Sequence, residues 1–263
     1  MSRHCFVIKC GGSTLAALPD SFFKDIQHLQ QQGIMAVIVH GGGPAITDML
    51  SKLNIESSFV EGLRVTDDAT LDVVEMVLSG QMNKQIVRRI QSTGIRAIGL
   101  SGVDGHLIEA EPVTNHEKIG FVGDVIQVNV TLLQQILDMG YIPVIAPIGI
   151  SPDGKQRFNI NADTVAGSVA SFLKADPLIV VTDVPGIMRT IEGQNVVCPT
   201  VTVQEAEEMM TNGEIYGGMI PKVRAAMQCI QGHVKEVIIV HGAEPYILSK
   251  VLQKENIGTR IMR

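Results

Sequence analysis

Short apolar runs rich in β-branched residues recur along the chain: Phe6-Val7-Ile8, Ala36-Val37-Ile38-Val39, Ile142-Pro143-Val144-Ile145, Leu178-Ile179-Val180-Val181 and Val237-Ile238-Ile239-Val240. A strand with one face in water alternates apolar and polar side chains. Uninterrupted runs belong to strands covered on both faces, which is the condition of a parallel sheet. Helical patterns fill the intervals, over Asp20 to Gln32 (closed by Gly33), Pro44 to Leu53, a long amphipathic Thr66 to Thr93, Thr131 to Met139, Asp163 to Ala175, Val203 to Thr211, Pro221 to Gly232 and Pro245 to Glu255. The alternation predicts an α/β fold, a three-layer αβα sandwich with a mainly parallel open sheet and helices on both faces. Between Gly102 and Val130 the rhythm breaks. There Leu107-Ile108-Glu109-Ala110 and Phe121-Val122-Gly123-Asp124-Val125 read as a small antiparallel excursion, about 103–130. No Ser/Gly-rich or Pro-rich linker divides the chain, so two lobes would share a sheet.

Composition removes several functional classes. With 45% hydrophobic and 18% charged residues among 263, the chain can bury a sizeable core, and disorder is excluded. The longest nearly apolar stretch, Tyr141 to Ile150, is about half of the ~20 residues a membrane span needs. Met1-Ser2-Arg3-His4 runs straight into the first apolar segment with no signal-type core, so a cytoplasmic location is expected. Cys5, Cys10, Cys198 and Cys229 form no C-x-x-C pair, which leaves reduced thiols and no zinc motif. A formal net charge of −6 argues against a nucleic-acid surface, yet an anionic small molecule needs only a few local cations.

Ligands of open α/β sheets sit beyond the carboxyl ends of the strands. Lys9-Cys10-Gly11-Gly12-Ser13 follows the first strand and His40-Gly41-Gly42-Gly43-Pro44 the second. Glycines there bare backbone N–H groups and let an anion approach closely. They also serve as plain turn residues, but two such loops on one sheet edge, one with a lysine, favour a site. Two familiar phosphate motifs are absent. There is no G-x-x-x-x-G-K-[ST], and Ile46 stands where the third glycine of G-x-G-x-x-G belongs.

Six segments in order carry a resemblance: Ile8-Lys9-Cys10-Gly11-Gly12, His40-Gly41-Gly42-Gly43, Gly62-Leu63-Arg64-Val65-Thr66-Asp67, Asn159-Ile160-Asn161-Ala162-Asp163, Thr182-Asp183-Val184-Pro185-Gly186-Ile187 and Gly217-Gly218-Met219-Ile220-Pro221-Lys222. Together they resemble the amino acid kinase family over essentially the whole chain, and within it the acetylglutamate kinases. The Gly-x-Arg-Val-Thr-Asp segment favours these over aspartokinases, glutamate 5-kinases, carbamate kinases and uridylate kinases. The resemblance implies transfer of the ATP γ-phosphoryl to the side-chain carboxylate of N-acetyl-L-glutamate, in arginine biosynthesis. It divides the chain into an acetylglutamate lobe, about 1–175, and an ATP lobe, about 176–263. Lys9 and Lys222 would stabilise the transferring phosphoryl and Asp163 would orient both lysines. Gly42, Gly43, Arg64 and Asn159 would bind the acceptor, with Arg64 gripping a carboxylate bidentately. Gly11 and Gly12 would offer amides to the phosphates, while Thr182, Asp183, Val184, Pro185, Gly186 and Ile187, with Glu214, Ile215 and Tyr216, would hold adenine and ribose. Mg²⁺ would be held mainly by phosphate oxygens, so no metal ligands are assigned.

The residues support this independently. A carboxylate acceptor is already a nucleophile, so lysines, an aspartate and glycine amides suffice for phosphoryl transfer. Lys222 begins a helical pattern, where the dipole disfavours a cation, and so calls for an anionic partner. By contrast, Asp163 at a helix start also reads as an ordinary dipole-favoured residue. His40 and His241 follow equivalent Ile-Val pairs, but with no third ligand they read as structural. The 66–93 helix has apolar positions Leu71, Val74, Val77, Leu78, Ile86 and Ile90, too many to leave exposed, and is a candidate contact for a homodimer. Lys84, Arg88 and Arg89 read as a solvated face. Cys10 stands where an aliphatic residue is more usual in the family, leaving a reactive thiol open. Arginine-inhibited hexameric members carry an extra N-terminal helix before the first strand, so an arginine-insensitive homodimer is expected. One rival keeps the fold and takes another acceptor, such as acetylaminoadipate or glutamate. A second is a non-catalytic sensor, against which Lys9, Asp163 and Lys222 argue together.

Overall fold

In the computed structural model, which describes residues 5–191, 194–217, 219–232 and 234–263, the apolar runs form the middle of an eight-stranded sheet. Its strands are β1 (Cys5–Cys10), β2 (Met35–His40), β3 (Ala97–Ser101), β4 (Ile142–Ala146), β5 (Leu178–Thr182), β6 (Thr200–Thr202), β7 (Glu236–His241) and β8 (Thr259–Met262). Their order is β6-β8-β7-β5-β1-β2-β4-β3. All neighbours run parallel except β7 with β8. The five runs legible as apolar segments are the contiguous centre. The strands that pattern missed are at the edges or next to one, where burial demands less: β3 carries a glycine, and β6 and β8 are short and polar in part.

The pleat sorts side chains between two cores. Phe6, Ile8 and Cys10 of β1 and Ala36 and Ile38 of β2 face α2 (Asp20–Gln31), α3 (Gly43–Lys52), α4 (Asp68–Glu75), α5 (Asn83–Gln91) and, further on, α10 (Ile247–Leu252). Val7 of β1, Val37 and Val39 of β2 and Val180 of β5 face α6 (Val130–Asp138), α7 (Ala162–Leu173), α8 (Val203–Thr211) and α9 (Met219–Gln231). A short α1 (Gly12–Ala17) opens directly from the first glycine loop. Helices therefore cover both faces, giving the three-layer α/β sandwich.

Particular elements depart from expectation. The 66–93 stretch starts with Asp67 as N-cap, accepting from Thr70 N at 2.8 Å, and a π-helical segment, Met76–Met82, separates α4 from α5. Its six apolar positions are all buried within the chain itself, while Met76 of the same stretch is exposed. The last helix is shorter than 245–255, because Tyr246 takes a left-handed conformation (φ 55°) and α10 begins only at Ile247. Arg89 is no solvated charge. It donates to Leu18 O at 2.6 Å and to Leu15 O at 3.3 Å and stacks 4.2 Å from the Phe23 ring, tying α5 to the α1–α2 turn.

The antiparallel excursion is real but larger than read. Ile108–Pro112 pairs antiparallel with Gly123–Val128, and Ile148–Ile150 and Arg157–Asn159 complete a four-stranded sheet. Since Ile148 follows β4 after only Pro147, this sheet projects from the carboxyl edge of the main one, where Asn159 is delivered. Among the described residues no helix is long and apolar enough to cross a membrane.

A buried carboxylate joins the second and last helices. Asp25 of α2 accepts hydrogen bonds from Leu248 N at 2.7 Å, Ser249 N at 3.1 Å and the Ser249 hydroxyl, and so caps α10 from 223 residues away. Replacing it with alanine strands these donors. Asp25→Ala is expected to cost about 2–4 kcal/mol, read as a lower urea midpoint with an unchanged denaturant slope.

Candidate active site

The alternation that buries Val7 puts Lys9 on the same face of β1, toward α7. There its Nζ meets Asp163 Oδ1 at 2.9 Å, with both side chains mostly buried. Asp163 stands in the first turn of α7 because Asn161 caps that helix, its Oδ1 accepting from Asp163 N at 2.7 Å. On β5, Leu178, Val180 and Thr182 share this face, and the register Lys9↔Val180 places Thr182 just beyond β1 at the carboxyl edge. Lys222, in the first turns of α9, donates to Thr182 Oγ1 at 2.6 Å and to Asp183 Oδ1 at 2.9 Å. The anionic partner that its position calls for is therefore Asp183. Lys222 and Thr182 hold the Asp183 carboxyl down to about 2, so the pair is fully formed above its ordinary 3.8 and is lost as pH falls toward 2.

In this structure Asp163 pairs with Lys9, and Lys222 has a carboxylate of its own. The reason lies in the strands. Lys9 and Thr182 leave neighbouring strands, with α7 bringing Asp163 to the first and α9 bringing Lys222 to the second.

The two glycine loops press together. A Cβ on Gly12 would fall 2.7 Å from Gly42 Cα, and one on Gly42 would fall 2.6 Å from Leu78 Cδ2 of the π-helical segment. Here glycine is a requirement of close approach. Gly11 N donates to Val181 O at 3.3 Å and Gly41 N to Cys10 O at 3.0 Å. The Gly11 amide therefore ties β1 to β5 instead of standing bare, whereas Gly12, Gly42 and Gly43 lie at helix starts, where N–H groups have no intrahelical acceptor.

A cavity of about 210 Å³ opens beside Lys9's partner. Its lining includes Gly42, Gly43, Arg64, Leu78, Asn159 and Asp163, so all the expected acceptor residues meet there. Arg64 is brought in by a hairpin, Phe59–Val60 with Leu63–Arg64, whose turn residues Glu61 and Gly62 both have positive φ. Its guanidinium is buried, donates to Thr47 Oγ1 at 2.9 Å, to Gly43 O at 3.2 Å and to the Ser57 hydroxyl, and lies 4.6 Å from the Phe59 ring. Burial lowers its pKa. All these hydrogen-bond partners are neutral oxygens, an arrangement that suits an incoming carboxylate. Asn159 Nδ2 donates to Thr66 Oγ1 at 3.1 Å, and Thr66 in turn donates to Arg64 O at 2.8 Å. Thr66 and Asn161 are the positioning residues that sequence reasoning passed over, although both lie inside quoted motifs. An Asn two residues before a helical Asp is itself a capping signal.

The expected nucleotide segments differ in character. Thr182, Asp183, Val184 and Pro185 stand at the carboxyl edge, with Asp183 and Pro185 exposed. Gly186 and Ile187 are buried instead. Ile187 N donates nothing outward, being bound to Thr259 Oγ1 at 2.8 Å, while a Cβ on Gly186 would lie 2.6 Å from the same oxygen. Both anchor the loop and present no side chain to a ligand. The 214–216 stretch forms the turn into α9: Glu214 pairs with Arg189 at 2.7 Å, Ile215 is buried, and Tyr216 is 76% exposed. Gly218 lies outside the described residues.

Two further expectations resolve. Cys10 is buried and desolvation pushes its thiol up to about 12, so it is inert filler of the α5-side core. His40 and His241 end strands three places apart in the sheet, roughly 14 Å at the ordinary strand spacing, too far to share an ion. Among the described residues no three His, Cys, Asp or Glu side chains gather into a metal cluster.

Comparison with known proteins agrees with this geometry. The amino acid kinase family profile matches residues 4–241. An acetylglutamate kinase of Halalkalibacterium halodurans is 48% identical over 91% of this chain and 90% of its own. One from Brevibacillus brevis is 46% identical over 97% of this chain and 96% of its own. Among solved structures, N-acetylglutamate synthase from Neisseria gonorrhoeae, complexed with coenzyme A and N-acetyl-glutamate, superposes with a TM-score of 0.84 at 25% identity, covering 100% of this chain and 60% of that one. Sheet order, paired lysines, glycine loops and sequence relatives lead to one conclusion: the chain belongs to the amino acid kinase family.

Proposed function

We propose that the protein transfers the γ-phosphoryl group of ATP to the side-chain carboxylate of N-acetyl-L-glutamate, forming N-acetyl-L-glutamyl 5-phosphate and ADP, a step of arginine biosynthesis. The observation that carries this is the cavity in which buried Arg64, Asn159, Gly42 and Gly43 converge next to the Lys9–Asp163 pair. The relatives named acetylglutamate kinase support the same acceptor.

In this reading Arg64 holds the α-carboxylate, which its neutral surroundings leave it free to bind, and Asn159 receives the amide end. A side-chain carboxylate oxygen attacks the γ-phosphorus, the bond to the β-bridging oxygen breaks, and ADP leaves with that oxygen's electron pair. No proton moves, because the nucleophile is already ionised. Lys9, oriented by Asp163, neutralises the transferring group from the acceptor side, and Lys222, held by Thr182 and Asp183, does so from the nucleotide side. Gly12 turns its amide to the phosphates, while the 182–185 loop and the turn at 214–216 receive ribose and adenine. Mg²⁺ would supply further neutralisation. Asp163 and Asp183 are each taken by a lysine, which fits a metal held mainly by phosphate oxygens and water. The acceptor side corresponds to about 1–175 and the ATP side to about 176–263. A cytoplasmic homodimer is the assembly we propose.

The test is ADP release with Mg-ATP against a panel of N-acetyl-L-glutamate, glutamate, aspartate, N-acetylaminoadipate, carbamate and UMP, with hydroxylamine trapping of the product. Turnover confined to N-acetylglutamate with a hydroxamate product is expected. Turnover with a different acceptor would overturn the assignment of Arg64, and none at all would favour a sensor. Lys222→Ala is expected to lower kcat by at least about 100-fold, leaving KM for acetylglutamate within about threefold in initial-rate kinetics. Arg64→Lys keeps the charge but loses the planar fork, so it is expected to raise KM for acetylglutamate by roughly 10- to 100-fold with a smaller change in kcat.

A further inference from the structure

His40 is the last residue of β2, and its imidazole is completely buried. The pleat puts it on the side of Ala36 and Ile38, under α5 and away from the lysines. Its neighbour there is Asn83, also completely buried, the first residue after the π-helical segment. Asn83 Nδ2 donates to Val144 O at 2.8 Å and lies 3.3 Å from both Leu100 O and His40 Nε2. Two backbone carbonyls on this atom identify it as the nitrogen, since an amide oxygen would face two acceptors. The slot exists because β3 has Gly99 at this point, where a Cβ would lie 1.8 Å from Asn83 Oδ1.

These contacts settle the tautomer. Gly41 O can only accept, so the proton sits on His40 Nδ1, which donates to it at 3.2 Å, and the bare Nε2 faces the Asn83 amide nitrogen. Burial lowers the imidazole pKa to about 4, which keeps the ring neutral near pH 7. Lys84 is the other charged group at this point, its Nζ on Asn83 Oδ1 at 3.1 Å and Gly99 O at 3.0 Å, and it too disfavours a charged imidazole.

The effect falls one peptide downstream. In a trans peptide the carbonyl of one residue and the N–H of the next point in opposite directions. Anchoring Gly41 O toward His40 therefore aims Gly42 N–H the other way. A run of three glycines has no side chains to resist a peptide flip, so the direction of that amide must be imposed from outside the loop. Leu78 on one side and Gly12 on the other already confine Gly42. We infer that His40, fixed by Asn83, is a positioning residue that sets the Gly42 amide for the acceptor cavity. The inference rests on the assignment of that cavity to acetylglutamate.

Three variants test it. In His40→Asn the amide nitrogen stands where imidazole Nδ1 stood and can still donate to Gly41 O. In His40→Gln the amide lies at the Nε2 position, beyond reach of that carbonyl, and His40→Leu has no donor. His40→Asn is expected to keep kcat/KM for acetylglutamate within about threefold. The other two should lose on the order of 10- to 100-fold, with KM for ATP changed less than about twofold. Equal losses in the Asn and Gln variants, or losses shared equally with ATP, would overturn the inference. Should the Leu variant fail to fold, the Asn and Gln pair decides alone. A second readout is independent of the acceptor: in isotopically labelled protein the Gly42 amide resonance should hold its position in His40→Asn and move in His40→Gln. If it stays put in both, the inference fails. If it behaves as expected while the wild type releases no ADP with acetylglutamate, only the acceptor assignment falls.

Discussion

The site depends on the pleat of two adjacent strands. On β1, Val7 is packed into the core beneath α7, and two residues later the same face of the strand carries Lys9 into contact with Asp163. On β5, Val180 is packed likewise, and two residues later Thr182 receives Lys222 from α9. A one-residue slip of either strand would turn its functional residue to the opposite face, among α2 and α10. The apolar neighbours forbid that slip, because it would bring Phe6, Ile8 and Cys10 out of one core and into the other. The hydrophobic register of the sheet and the placement of the lysines are thus one constraint. Two cations in an acidic chain are held at one sheet edge by burial energy that has nothing to do with charge.

Giving each lysine its own carboxylate has an electrostatic consequence. Lys9 and Asp163 are largely shielded from solvent, whereas Asp183 is 65% exposed and Lys222 is 30% exposed. The Lys9 pair is therefore the stiffer of the two, less screened by salt and fixed further by the Asn161 cap on Asp163. The Lys222 pair is wetter, sits on the terminus of a helix whose dipole disfavours its cation, and takes part of its support from a hydroxyl. Such an asymmetry suits a reaction with one buried organic acceptor and one larger nucleotide that must come and go.

Much of this was legible from residue order alone, and what was missed has a common cause. The central strands announce themselves because strands buried on both faces have no polar residues to interrupt them. Strands β3 and β6 lack that signal because each is an edge with a neighbour on one side only, and β8, next to the β6 edge, is short and partly polar. The acceptor residues could be named from motifs, and they converge on one cavity. The pairing of the acids could not, because which carboxylate a lysine finds depends on where α7 and α9 cross the sheet. The same holds for Asp25 with Ser249 and for Arg89 with the α1–α2 turn: these polar contacts span 224 and more than 70 residues, and no local pattern encodes them. The apolar positions of the 66–93 helix do need cover. The chain itself provides it, however, so hydrophobic content alone says nothing about a second subunit.

The contact between Gly12 and Gly42 links these observations. Its spacing leaves no room for a single methyl group, so the loop after β1 and the loop after β2 share one surface. Gly42 is backed in turn by Leu78, whose position is set by the wider π-helical turn before Asn83. Asn83 reaches through the space left by Gly99 to grip His40, and His40 holds the carbonyl of Gly41. A chain of contacts therefore runs from edge strand β3 to the loop facing the acceptor without passing through a charged group. Once the strand register has brought the lysines to the sheet edge, ion pairs orient their ammonium groups on one face, and close packing positions the glycine amides from the other. Because β1 contributes Lys9 to the first arrangement and leads into Gly12 of the second, neither can shift without the other. Phosphoryl transfer between two bound partners requires that coupling, since the attacking carboxylate and the group it attacks must be held in a single frame.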